Sequence, residues 1–215
     1  MTPARASSGT RPVREDHLGA STFIEKGWHG IAHGDFAAAE NSLGMALKLA
    51  PSDGQARALF AWAVMRQGRA DEALRILDDL LGRDPMNALA RATLGYLCMR
   101  KGLLRESHEH LSRAATQMRD PKAALYGCFY LGLLYGQQRD VVEAERYFRK
   151  TLSLAPNFIE AYYELGRTFW IAGEKSQAEN VWKAGNGANR FSDWGKRCAE
   201  AIRLVRAGKE PPSFS

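Results

Sequence analysis

Gly68-Arg69-Ala70-Asp71-Glu72-Ala73-Leu74-Arg75-Ile76-Leu77 is the stretch on which the fold turns, because variants of it recur along the chain five times in all. A helix-breaking glycine is followed five positions later by a small residue, and four further on by a large apolar one. The other copies start from Gly34, Gly102 and Gly173, and from Arg139, where the glycine is replaced. The small residues are Ala39, Ala73, Ser107, Ala144 and Ala178; the large ones are Leu43, Leu77, Leu111, Phe148 and Trp182. Prolines at Pro51, Pro85 and Pro156 close most copies. A period of about 34 residues marks stacked supersecondary units, none of which can bury its apolar face alone.

Within each copy, apolar residues recur at three- and four-residue intervals, the pattern of amphipathic helices rather than strands. Phe60, Ala61 and Val64 stripe the first helix of copy two; Ala70, Ala73, Leu74, Leu77 and Leu80 stripe its second. Gln67-Gly68 ends the first helix, since glycine enters a left-handed cap without steric penalty. Ala50-Pro51 and Asp84-Pro85 stop second helices, because proline disfavours helix in the residue before it. The small residues let neighbouring backbones approach, and the later Leu or aromatic fills the gap.

This spacing resembles the tetratricopeptide-repeat family. Copy five reads Tyr162, Leu165, Gly166, Phe169 against the family's Trp-Leu-Gly-Tyr, and copy four reads Cys128, Leu131, Gly132, Tyr135. Copy three supplies Leu94, Gly95 and Cys98. The resemblance implies an all-α, right-handed superhelical solenoid of helix–turn–helix repeats that binds other proteins. The repeats are expected over 20–53, 54–87, 88–124, 125–158 and 159–192, inside one domain spanning 18–207. Copy one departs most, with Lys26 and Gly30 where leucine and an aromatic are usual, so its first helix is expected to fray or tilt. Copy three is longer by Asp120-Pro121-Lys122, with Asp120 as N-cap and Pro121 at the first helical position starting the next helix a turn early. Gly185-Asn186-Gly187-Ala188-Asn189 reads as a helix terminator. Beyond it, 193–207 reads as a capping helix with Trp194, Cys198, Ala201, Ile202 and Val205 on its apolar face. Residues 1–17 read as a disordered basic tail and 208–215 as an unstructured one.

Composition narrows the function classes. No run of about 18 apolar residues is present, so no membrane span is expected. No apolar segment follows the N-terminal arginines, which argues against a secretory signal and for a cytoplasmic protein. Cys98, Cys128 and Cys198 fall on inward positions and read as small hydrophobes, with neither disulfide nor zinc spacing. The net charge of +6 concentrates at the ends, with three arginines in the first fourteen residues and seven basic residues from Lys183 to Lys209. His29 and His33 stand four apart, but no nearby carboxylate or cysteine completes a metal site; Glu25 alone shares that face. His108 and His110, two apart on a helix, point in different directions. No phosphate loop, nucleophile elbow or carboxylate pair appears. Neither an enzyme, nor a cofactor, nor a small-molecule substrate is expected.

In the family, positions 2, 5, 9 and 12 of each first helix line the concave groove. That implies a lining of Ile24 and Trp28 from copy one, Trp62 and Met65 from copy two, and Tyr96 and Met99 from copy three. Tyr126, Phe129 and Leu133 follow from copy four, and Tyr163, Arg167 and Trp170 from copy five. These positions are expected to stand outside the helix–helix seams, so their apolar character reads as a binding surface. The expected partner is an amphipathic helix or extended apolar segment of another protein, held by an adaptor or scaffold. Heat-shock-carboxylate binding is excluded by Ile24/Trp28, Ala58/Trp62 and Ala92/Tyr96 where the family's clamp carries lysine and asparagine. The alternatives are a secretion or assembly chaperone shielding an apolar client, and a nucleic-acid or membrane-surface binder acting through the basic ends.

Overall fold

The computed structural model describes residues 13–117 and 119–212, with side chains from Gly19 onward. Among the described residues it contains eleven α-helices and no strand. In order these are α1 (Val13–Ala32), α2 (Phe36–Leu49), α3 (Gly54–Arg66), α4 (Ala70–Arg83), α5 (Ala88–Arg100) and α6 (Leu104–Ala115). There follow α7 (Pro121–Gln137), α8 (Val141–Leu154), α9 (Ile159–Ile171), α10 (Lys175–Ala188) and α11 (Asp193–Arg206).

The turns follow from the repeated glycines. Gly34, Gly68, Gly102 and Gly173 have φ between +76° and +85°, and Arg139 takes the same left-handed conformation at φ +60°. Asp35, Asp53, Asp120 and Asp140 start α2, α3, α7 and α8 by accepting a hydrogen bond from the third backbone N–H of the helix, at 2.8–3.1 Å. Pro121 stands at the first position of α7, which runs 17 residues against 13 for α5 and α9. The repeated small and large residues are all buried: Ala39, Ser107, Leu77, Leu111 and Trp182 are each 0% exposed.

The chain divides into two compact units, one up to Ala90 and one from Arg91. In the first, α1 packs on α2, α2 on α3 and α3 on α4, while α1 also lies beside α3. Instead of fraying, α1 is a 20-residue helix beginning at Val13, inside the expected tail; the rest of that tail lies outside the described residues. No proline interrupts the chain between Pro12 and Ala32. Gly30, where an aromatic is usual, brings α1 onto α2: a Cβ there would lie 3.0 Å from the Ala39 backbone nitrogen.

In the second unit α6 packs on α7, α7 on α8, α8 on α9, α9 on α10 and α10 on α11, with α7 and α11 also touching α9. Three glycines there sit under the repeated large residue. A Cβ at Gly95, Gly132 or Gly166 would lie 2.6, 2.6 or 2.3 Å from Leu111, Phe148 or Trp182. Trp182 also donates its indole N–H to the Tyr163 carbonyl at 3.0 Å.

The expected terminator at Gly185–Asn189 is helix as far as Ala188. Gly185 is buried, and a Cβ there would stand 2.9 Å from Cys198 Sγ and 2.7 Å from Tyr162 Cβ. That glycine admits α11 to the flank of α10 rather than ending the helix. α11 is capped by Ser192, whose Oγ accepts from Gly195 N at 3.0 Å, and it buries Cys198 and Ala201. Trp194, Ile202 and Val205 are half-buried on the same helix.

Candidate functional site

The expected lining residues fall into two groups that differ in accessibility. In the first unit, α1 and α3 lie side by side and bring Trp28 to 5.9 Å from Trp62, between ring centroids. Ile24, Trp62 and Met65 are buried, Trp62 to 2% exposure, and only Trp28 remains half-buried. In the second unit, Met99, Tyr126, Phe129, Leu133 and Tyr163 are buried, while Tyr96, Arg167 and Trp170 stay half-buried.

The separation expected between lining and seam is therefore corrected. First helices of successive hairpins touch directly, as α1 and α3 do, and as α7 and α9 do. Side chains at these positions meet one another before they meet solvent. Phe129 is packed by Phe148 and Phe158, with centroids at 5.9 and 5.0 Å, and Tyr126 meets Phe158 edge-on at 5.6 Å. Tyr96 packs against Tyr130, with centroids 4.5 Å apart. Removing Trp62 or Phe129 deletes packing, a change that costs about 3–5 kcal/mol in a core.

Between α7, α8 and α9, Arg167 borders a cavity of about 160 Å3, lined also by Leu133, Gly136, Gln137, Phe148, Glu164, Thr168 and Ile171. Gly136 leaves room there, since α7 carries no side chain at that point. Glu164 is buried at 4% exposure and accepts a hydrogen bond from Arg167 Nη1 at 2.8 Å. Burial raises the Glu164 pKa above the usual carboxylate range, against the opposing pull of the Arg167 guanidinium. Thr168 Oγ1 donates to the Glu164 carbonyl at 2.9 Å. The product is a pocket of mixed lining, apolar at Leu133, Phe148 and Ile171 and polar at Gln137, Glu164 and Thr168, with the Arg167 guanidinium oriented by Glu164 in its wall. Arg167 was legible as a lining residue; Glu164 was missed, although a Glu and an Arg three apart on an otherwise apolar helix signal such a pair.

The other groups singled out in the sequence serve structure. Cys98, Cys128 and Cys198 are buried free thiols, and burial pushes the Cys198 thiol up to about 12. His33 Nδ1 lies 2.8 Å from the His29 carbonyl, with the two rings stacked at 4.0 Å. Among the described residues no group of three His, Cys, Asp or Glu is placed to hold a metal. His108 Nε2 lies 3.0 Å from Tyr135 Oη, whereas burial, with Arg91 nearby, lowers the His110 pKa. The basic residues of α11 are largely paired: Arg206 with Glu179 at 2.7 Å and Arg203 with Glu200 at 2.8 Å. Arg197 stacks over Trp194 at 4.3 Å. Among the described residues no helix is long and apolar enough to cross a membrane.

Repeated hairpins with left-handed caps and a buried small residue followed by a buried large one define a helical-repeat protein-interaction module. The chain belongs to the tetratricopeptide-repeat family, which it matches over residues 31–94, 65–127 and 125–158; domains of this family generally bind other proteins. It is 40% identical over 58 residues to a BBSome complex member BBS4 homolog of Drosophila melanogaster, a match spanning 27% of this chain and 12% of that one. Its fold is similar to that of a thermophilic TPR protein of Thermus thermophilus, with TM-score 0.70, 22% identity, and 86% and 100% of the two chains covered. It is also similar to PilF of Pseudomonas aeruginosa, with TM-score 0.64, 20% identity, and 90% and 86% covered.

Proposed function

We propose that this protein is a non-enzymatic scaffold that holds an apolar segment of another protein against the first-helix face of its second unit. One observation carries the reading. Tyr96, Arg167 and Trp170 stay half-buried on a face whose other expected aromatic lining residues in this unit are buried, and Arg167 lines a cavity walled by Leu133, Phe148 and Ile171 together with polar Gln137, Glu164 and Thr168. An apolar side chain of the partner enters that cavity. A carbonyl or carboxylate beside it accepts from Arg167, whose planar fork keeps N–H groups beyond the one given to Glu164. Trp170 supplies rigid area at low entropic cost. The BBS4 homolog is itself a member of a multiprotein complex, which accords with a scaffold role. Pairing of the α11 cations with Glu179 and Glu200 weakens the reading in which a basic end grips nucleic acid.

The test is site-specific photocrosslinking in cells. A benzophenone side chain at position 96 or 170 should join the chain to the same partner. One at exposed Val142, on the second helix of the copy-four hairpin, should not. Equal labelling from all three positions removes the first-helix face as the site.

A further inference from the structure

The segment after α11 does not simply run into solvent. Gly208 adopts φ +74°, its N–H bonding to the Val205 carbonyl at 3.1 Å and that of Lys209 to the Leu204 carbonyl at 2.9 Å. This left-handed cap turns the chain back toward α9. Pro211 is half-buried between exposed Glu210 and Pro212. The Pro212 carbonyl then accepts a hydrogen bond from the Tyr163 hydroxyl at 2.6 Å, across 49 residues of sequence. Tyr163 belongs to the expected lining; its ring lies 5.4 Å from Trp194, over which Arg197 stacks. The segment expected to be unstructured is thus seated, through Pro212, on an aromatic corner formed by α9 and α11.

We propose that this corner is a docking site for an extended, proline-bearing chain, and that Glu210–Pro212 fills it in the resting state. The chemistry suits such an occupant. Two successive prolines are already restricted to extended backbone, so little entropy is lost on seating them. They offer carbonyls but no N–H groups, and the corner presents the Tyr163 phenol as a donor, with the Trp194 ring beside it. Aromatic surfaces with a hydroxyl donor recognise proline-rich strands in this way. Held in cis, Glu210–Pro212 acts at an effective concentration in the millimolar range, so a partner with the same chemistry must displace it. The inference deepens the scaffold reading by naming the partner's chemistry at one end of the same face. Its test follows the chain's own segment and can fail independently of the crosslinking experiment.

Carbonyl-13C proline combined with 15N serine gives two correlations in the full chain, from Pro51-Ser52 and Pro212-Ser213. Tyr163→Phe should move the Pro212 signal and leave the Pro51 signal in place. An unmoved Pro212 signal overturns the proposal. A fluorescent peptide of residues 208–215 is the probe for docking in trans. It should bind the Pro211→Gly/Pro212→Gly chain at least about tenfold more tightly than the unaltered one, as release of a tethered competitor predicts. Adding Tyr163→Phe should weaken that binding by about fivefold, the worth of one hydrogen bond. Excess peptide on the labelled, unaltered chain should drive the Pro212 signal toward its undocked position. Equal binding to both chains, binding to neither, or no displacement each contradict the idea.

Discussion

Arg139 occupies the one left-handed position in the described chain that lacks a glycine, at φ +60°. An L-residue with a Cβ pays about 1–2 kcal/mol for that conformation, part of which glycine returns through its freer unfolded chain. Arg139→Gly should therefore stabilise the protein by about 0.5–1 kcal/mol, read as a higher urea midpoint with unchanged slope. Two glycines of α10 separate local propensity from packing. At Gly187 an added Cβ meets no described atom within 4 Å, so Gly187→Ala should stabilise by up to about 1 kcal/mol through helix propensity. At Gly185 the same change drives a methyl into Cys198 and Tyr162 and should destabilise by roughly 1–3 kcal/mol. The sequence could not distinguish these two. A glycine that ends a helix and one that admits a neighbour read alike until the neighbour is placed. The capping glycines were legible because their period repeats.

At the scale of elements, hairpin identity, the early start of α7 and the α11 cap were all readable, since each rests on local chemistry: Asp120-Pro121, Ser192 and the spacing of apolar residues. The lining was read only in part. Its positions were right for a first helix, but sequence periodicity does not say how closely two first helices approach, and that distance decides whether Phe129 is an anchor or core. Glu164 tests how the α7–α9 contact is built. Burial raises its pKa, so the folded state holds the proton more tightly than the unfolded state. Its contribution to stability is then fully present at low pH and is lost as pH rises through the elevated value. Glu164→Gln removes this dependence while keeping an acceptor for Arg167. Melting temperatures taken in pH steps above the usual carboxylate range should show the variant gaining on the unaltered chain. If the variant falls behind as pH rises, attraction to Arg167 outweighs desolvation, and the cavity is held by an ion pair rather than by a suppressed charge.

Across the whole molecule, a repeat chain is stabilised mainly through neighbours, so a defect should spread only as far as adjacent helices carry it. The end of the second unit offers a clean place to introduce one. Cys198 is fully buried under Gly185, and its thiol is pushed up to about 12 by burial alone. Cys198→Asp would place a carboxylate there with no partner, a burden of roughly 3–5 kcal/mol for an uncompensated buried charge. The local cost should fall on α10 and α11, and through the contact of α11 with α9 it should reach the Tyr163 corner. Hydrogen exchange of the full-length variant should then show loss of protection in α9, α10 and α11, while α1 to α4 exchange at their original rates. Uniform loss from α1 to α11 would mean that the chain unfolds as one cooperative body, and the nearest-neighbour account of its stability would have to be abandoned.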